Sequence, residues 1–265
     1  MRATIALLVA AAAAFGLAAS ASATARPSAH GKLLQVRANT NQSTNWFGYN
    51  QGSLELGGKQ FNAITGDWVV PTATQHTAGQ AENSSDWIGI GGGCVDAACT
   101  VGDNTLIQTG TEQDVDANGT ASYGAWWEVI PGPSIEITNM TIKPGDHMHS
   151  SIAELVPGSN VWTIVLQNVT RGQTFSQTVP YTSSHLTAEW IEETPLLLST
   201  SPGLASLPNL TSPAFTKATT NGQNANLQAS EEIFLTDSSG NVIGSPSAPN
   251  ATHNGFSACT WATSC

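Results

Sequence analysis

The sequence predicts an all-β protein, an antiparallel β-sandwich assembled from many short strands. Three observations carry that expectation. From Asn45 onward, short runs rich in β-branched and aromatic residues alternate with clusters of Gly, Pro, Asn and Ser, the residues that end strands and make turns. The runs recur at the close spacing of sandwiches and barrels. No stretch sustains an apolar period of a helix.

Taken in order, the chain opens on Arg2, an alanine-rich apolar run from Ile5 to Leu17, and the small residues Ala21 to Ala23. Residues 1–23 therefore read as a secretory signal; the run is shorter than the ~20 apolar residues of a membrane span, and no later segment is long and apolar enough. The exported protein is expected to be soluble, with no membrane attachment. Residues 24–44, polar and carrying Arg26, Pro27, Lys32 and Arg37, read as a flexible arm or short pro-segment. Residues 45–265 form a single β-sandwich domain. Its expected strands are Ala63–Val70, Asp86–Ile90, Thr105–Thr109, Ala121–Ile130, Ser134–Ile142, His147–Leu155, Val161–Val169, Gln173–Val179 and Thr187–Glu193. A Leu/Ser/Pro-rich bridge over Leu196–Pro208 precedes three more, Ala214–Ala218, Glu231–Thr236 and Asn241–Gly244.

Charge narrows the function classes. Nineteen Asp and Glu stand against eight Lys and Arg, and only 10% of residues are charged. An acidic chain without basic patches excludes nucleic acid as a partner. A surface of neutral polar groups suits an acidic medium as well as it suits ordinary secretion, because it depends little on ionised carboxylates. Monomer is the default expectation.

The four cysteines, Cys94, Cys99, Cys259 and Cys265, form two close-spaced pairs. In an exported chain, disulfides Cys94–Cys99 and Cys259–Cys265 are the simplest of the three connectivities, and they are preferred to a zinc site. Several Asn-x-Ser/Thr sequences, among them those at Asn83, Asn118, Asn139, Asn168 and Asn209, are glycosylation acceptors where the host glycosylates. His147 and His149 share one strand face but have no third ligand motif, so no metal is assigned. The Gly-x-Ser-x-Gly, His-Glu-x-x-His and Asp-Thr-Gly signatures are absent.

Two strand-like segments each hold one polar residue that invites chemistry: Gln108 within Thr105–Glu112, and Glu189 within Leu186–Glu193. Strand alternation aligns Leu106, Gln108, Gly110 and Glu112 on one face. It likewise aligns Thr187, Glu189 and Ile191, with Ala188, Trp190 and Glu192 opposite. Tyr123, Ala125, Trp127 and Val129 share a face, with Trp126 and Glu128 on the other. If their strands lie side by side, Gln108 and Glu189 point into one groove. An amide that donates to an oxyanion, beside a carboxylate that takes a proton from water, is a minimal hydrolytic centre. Taken singly, each is more commonly a hydrogen-bonded or solvated strand residue. The tryptophans at 46, 68, 87, 126, 127, 162 and 190 are more commonly packing than substrate platforms; packing is the expectation for Trp68 and Trp162.

Six elements occur in order: Asn45-Trp-Phe-Gly48, Gly66-Asp-Trp-Val-Val-Pro71, Asp86-Trp-Ile-Gly-Ile90, Leu106-Ile-Gln-Thr-Gly110, Tyr123-Gly-Ala-Trp-Trp-Glu128 and Thr187-Ala-Glu-Trp-Ile-Glu192. Together they resemble the glutamic peptidases, the eqolisin family of acid endopeptidases, from about Asn45 to about Ile243. The resemblance implies two curved antiparallel sheets, a concanavalin-like jelly roll, with the active site on the concave face. It implies a catalytic dyad at Gln108 and Glu189 acting on polypeptide substrates without cofactor or metal. A near-normal or depressed Glu189 pKa would leave carboxylate available in acid. Trp46, Trp87, Glu112, Tyr123 and Glu192 are the expected substrate-binding or supporting residues. Glu112 replaces the aspartate common in the family, and Gly91–Cys99 departs from its pattern of an acidic residue near Gly91. The competing expectations are a glycoside hydrolase using two carboxylates such as Glu128 and Glu189, and a non-catalytic carbohydrate-binding sandwich.

Overall fold

The computed structural model describes residues 41–197 and 203–265, with short paired segments at 23–25 and 28–29. The expected signal sequence except Ala23, and most of the expected arm, lie outside the described residues. Fourteen strands organise the domain: β1 (Trp46–Gly52), β2 (Ala63–Val69), β3 (Glu82–Gly91), β4 (Leu106–Val115), β5 (Ala121–Val129), β6 (Ile135–Ile137) and β7 (His147–Glu154), then β8 (Val161–Asn168), β9 (Gln173–Pro180), β10 (Thr187–Glu193), β11 (Ala214–Thr220), β12 (Glu232–Thr236), β13 (Val242–Pro246) and β14 (Phe256–Thr260).

They form two antiparallel layers. The first runs β6–β5–β4–β3–β10–β1–β12. The second runs β9–β8–β7–β2–β11. At one side β13 and β14 join β12 to β11, so the chain passes between layers without leaving that edge open. The edge strand β6 is paired by Ala23–Ala25, and Ser28–Ala29 pairs with Leu196–Leu197.

Burial follows from this arrangement. In β7 and β8 every second residue is buried, as expected of a sheet with one wet face. In β1, β4 and β10 nearly every residue is buried, so the first sheet is covered on both faces. One of those faces is the core, where Tyr49, Trp190, Ile88 and Trp127 meet Ile64, Trp68, Ile152 and Trp162 from the second sheet. Two tryptophans staple the layers in opposite directions. Trp68 Nε1 donates to Thr111 Oγ1 at 2.9 Å, and Trp190 Nε1 donates to the Thr65 carbonyl at 2.8 Å. Trp68 and Trp162, expected to pack, are fully buried. An indole that fills core volume and also satisfies its N–H supplies both apolar burial and sheet register.

The core face also contains an acidic pair. Asp86 and Glu192 are registered directly opposite each other on β3 and β10, and both are fully buried. Gln113 Nε2 donates to Asp86 Oδ2 at 3.1 Å. Two buried carboxylates side by side cannot both be ionised, so at least one of the two keeps its proton.

Both disulfides form as the simplest connectivity predicted, Cys94–Cys99 and Cys259–Cys265. His147 and His149 both bond the Asp67 carboxylate, at 2.8 and 2.6 Å, and Lys217 joins them at 2.7 Å. Among the described residues no group of three or more His, Cys, Asp and Glu is arranged to hold a metal ion. Strands β1 and β14 were not expected from the sequence. β1 reads Trp-Phe-Gly-Tyr-Asn-Gln-Gly, whose glycines and amides carry no strand signal; its neighbours on both sides impose the conformation.

Candidate active site

The register of five adjacent strands builds the site. Asn50 (β1), Glu189 (β10), Gly89 (β3), Gln108 (β4) and Glu128 (β5) stand in one row across the sheet. Directly opposed residues share a face, and this face is the one turned away from the core row of Tyr49, Trp190, Ile88, Thr109 and Trp127. Gln108 and Glu189 are therefore two strand spacings apart, roughly 9–10 Å between Cα atoms. The residue between them is Gly89, which adds no side chain to the gap.

The parallel row two residues away holds Gly48, Ile191, Trp87, Gly110 and Trp126, and the next holds Trp46, Glu193, Ser85, Glu112 and Gly124. Trp46, Trp87, Leu106, Trp126 and Ile191 pack into one apolar cluster, with Trp46 and Trp87 edge to face at 4.7 Å. Trp87 Nε1 donates to Glu193 Oε2 at 2.8 Å, and Trp126 Nε1 donates to Ser85 Oγ at 3.0 Å. An aromatic wall thus borders the polar row and holds a second carboxyl, Glu193, beside it.

Gln108 is held by its neighbour. Its Nε2 donates to Glu128 Oε2 at 2.8 Å. An amide nitrogen carries two hydrogens, so one remains for another acceptor. Gln108 Oε1 and both oxygens of Glu189 have no hydrogen-bond partner among the described residues, although both side chains are fully buried. Buried polar atoms are ordinarily satisfied; three unpartnered ones stand together in this row, and others lie on the core face at Asp86, Gln113 and Glu192.

Burial also decides the protonation states. It pushes the Glu189 carboxyl well above the usual carboxylate range; the Thr187 hydroxyl opposes this, and the charge of Asp103 adds to the rise. The expectation of a near-normal or depressed Glu189 is thereby corrected, because the carboxyl sits in a dry position with few donors. Burial raises Glu128 to about 8 against the opposing bond from Gln108. Burial raises Glu193 as well, helped by the nearby Glu128. In acid the row is therefore largely neutral.

A loop over 91–103 closes the Asn50 end of the row. It is a small hairpin: Asp103 N donates to the Gly93 carbonyl at 2.9 Å, Cys94 bridges Gly102, and Val95 N donates to the Val101 carbonyl at 2.8 Å. Asn50 clamps it, with Nδ2 donating to the Cys94 carbonyl at 2.9 Å and Oδ1 accepting from Cys94 N at 3.0 Å. Gly93 lies so close that an added Cβ would stand 1.7 Å from Asn50 Oδ1 and 2.6 Å from Glu189 Oε1. Gly93→Ala is expected to displace the Glu189 carboxyl and lower kcat/KM on the order of 100-fold, measured on a peptide substrate alongside the melting temperature.

The Peptidase A4 family matches residues 44–255. The chain belongs to that family. Among its relatives, aspergillopepsin-2 of Aspergillus niger is 27% identical over 190 residues, 63% of this chain and 62% of that protein. Scytalidopepsin B of Scytalidium lignicola is 30% identical over 135 residues, 51% of this chain and 46% of that protein. The chain thus spans less than two thirds of the length of these curated relatives. The fold is that of scytalido-glutamic peptidase, crystallised with a transition state analog inhibitor, at a TM-score of 0.60 and 19% identity, over 82% of this chain and 98% of that one.

Within this A4-family fold the residues singled out from sequence divide into two groups. Gln108, Glu189, Trp46, Trp87 and Glu112 share the site face. Glu192 and Tyr123 do not. Glu192 points into the core against Asp86, since it is three residues from Glu189 and no bulge reverses the alternation. Tyr123 also lies on the core side, where its hydroxyl accepts from Ala73 N at 3.0 Å. Sequence reasoning missed Asn50, Gly93, Asp103 and Glu193. Alternation from Glu189 places Glu193 on the same face; the other three depend on a loop whose path no local pattern announces.

Proposed function

We propose that the protein is a secreted endopeptidase of acidic media, in which Glu189 activates water and Gln108 stabilises the tetrahedral intermediate. The observation that supports this most is the row itself, with the unpartnered atoms of Gln108 and Glu189 facing across Gly89. Water oxygen attacks the peptide carbonyl carbon while the ionised Glu189 takes its proton. The second Nε2 hydrogen of Gln108 bonds the carbonyl oxygen as it becomes negative. Glu189 then returns the proton to the amide nitrogen as the C–N bond breaks, regenerating the carboxylate. Glu128 keeps the Gln108 nitrogen turned along the row. The aromatic cluster of Trp46, Trp87 and Trp126 borders the path of an extended chain. The apolar run from Ile5 to Leu17 supports export.

A glycosidase would pair Glu128 with Glu189. These lie three strand spacings apart, roughly 14 Å between Cα atoms, with Gln108 between them and bonded to Glu128. Glycosidase carboxyls stand about 5–10 Å apart with nothing interposed. Denatured protein and mixed oligosaccharides, offered separately to wild type and Glu128→Gln across acidic pH, distinguish the two. The peptidase reading expects protein cleavage that survives, weakened, in the variant. Oligosaccharide cleavage abolished by Glu128→Gln would replace it.

A further inference from the structure

We propose that Asp103, delivered by the disulfide-closed 91–103 hairpin, is a positioning residue that sets the place of the Glu189 carboxyl and brings a second acid to its side. The inference rests on the proposed role of Glu189 and extends it to a residue in a loop closed by Cys94–Cys99. Asp103 is cross-paired with Gly93 at the base of the hairpin, and Gly93 is the residue packed against the Glu189 carboxyl. The Gly93 N–H donates to Thr187 Oγ1 at 3.2 Å, two residues before Glu189 on the same strand face. Hairpin and catalytic strand are thus tied at that point.

The Asp103 side chain is buried and built in. Thr105 donates to Oδ1 from both its N and its Oγ1, each at 2.9 Å, and Ser184 Oγ donates to Oδ2. Thr105 starts the approach to Gln108, and Ser184 starts the approach to Glu189, so one carboxyl braces the segments leading to both members of the dyad. All of its partners are neutral. The ion pairs among the described residues gather at Asp67, Asp146 and Glu154, and none includes Asp103. Burial is the main cause that raises Glu189 and Tyr181, and the neighbouring Asp103 carboxyl adds to the rise of both.

Several other acids surround this place. Glu193, Glu128 and Glu112 share the Glu189 face of the sheet, and Glu55, Asp96 and Glu231 line the far side of the hairpin with Asn50, Cys94 and Cys99. Burial already keeps Glu128, Glu193 and Glu231 protonated in acid. Asp103 differs from them in accepting three hydrogen bonds at its carboxyl.

The test is the titration of Glu189 itself, followed by carboxyl ¹³C NMR and assigned with Glu189→Gln. In Asp103→Asn the Glu189 midpoint is expected to move to lower pH by about one unit, roughly a tenfold change in its proton affinity. The acid limb of kcat/KM should move with it. Asp103→Glu, which keeps the charge, should restore the wild-type midpoint. Should Asp103→Asn fail to fold, Asp103→Ser removes the same charge while keeping an acceptor for Thr105 N, and is expected to shift the midpoint in the same direction. A Glu189 titration that superimposes on wild type in the folded variants would overturn the proposal, leaving Asp103 as a loop brace. A wild type that titrates as expected but cleaves no peptide would count against the peptidase reading and leave this coupling standing.

Discussion

Unfolding free energy is expected to fall steeply as pH rises from about 5 to 8, far more than in an ordinary domain of this size. Asp86 is raised to about 7 by burial beside Glu192, Glu231 to about 7 and Glu128 to about 8, in each case by burial first. Glu189, Glu192 and Glu193 are raised as well. For a group raised in the fold, the folded chain binds the extra proton. Its contribution is complete below the unfolded carboxylate value, near 4, and is lost as pH climbs through the folded value. Each such carboxyl removes roughly 1.4 kcal/mol per pH unit across that window, so three remove about 4 kcal/mol per unit, against a total stability of about 5–15 kcal/mol.

The oppositely shifted acids do not compensate. At Asp67 burial is outweighed by the bonds from His149, Lys217 and His147, which bring it down to about 2. That contribution is already complete above about pH 4 and is lost only as pH falls towards 2. Denaturant melts at pH 4, 5, 6 and 7 should show the decline, and Asp86→Asn should flatten it. A stability that holds level from pH 4 to 7 would contradict the buried-acid account.

Glu189→Gln is expected to reduce kcat by three orders of magnitude or more, since general-base catalysis alone contributes about 10²–10⁴ and the return of the proton to the leaving amine is lost with it. The variant should fold as well as wild type or better above pH 5, because it removes one buried acid. That opposite movement of activity and stability separates a catalytic loss from a folding defect. Gln108→Ala should lower kcat by about 10²–10³, the usual loss for one oxyanion donor, and should also leave Glu128 without the amide it now accepts from. Its KM should change less than its kcat, because the bond to the carbonyl oxygen strengthens only as charge develops. In wild type, kcat/KM should rise as Glu189 ionises and fail where the fold loses stability, leaving a window on the acid side of neutrality.

Much of this layout was legible in the chain because strand geometry is periodic. Alternation alone put Gln108, Gly110 and Glu112 on one face, and Glu189 and Ile191 on one face, with Glu192 opposite. What alternation cannot supply is register. That β3 lies between β4 and β10, so that Gly89 separates Gln108 from Glu189, and that Asp86 meets Glu192 on the other face, are facts about pairing between distant segments. β1 escaped notice for a related reason. Its Asn50 and Gln51 are buried, yet each bonds to groups far along the chain, Asn50 to Cys94 and Gln51 Nε2 to the Ala225 carbonyl and Glu231. A buried amide with remote partners looks, in sequence, like a loop. Asp103 was hidden likewise, since only the hairpin closed by Cys94–Cys99 brings it to Gly93.

The most direct measurement is digestion of one denatured protein across about pH 4 to 7, which spans the ionisation of a carboxyl raised by burial, with products read by mass spectrometry, using wild type, Gln108→Ala and Glu189→Gln at equal folded concentration. The Gln108–Glu189 account predicts internal peptide-bond cleavage by wild type and its loss in both variants. Undiminished cleavage by either variant would contradict the dyad, and wild type that leaves the protein intact would contradict the peptidase reading.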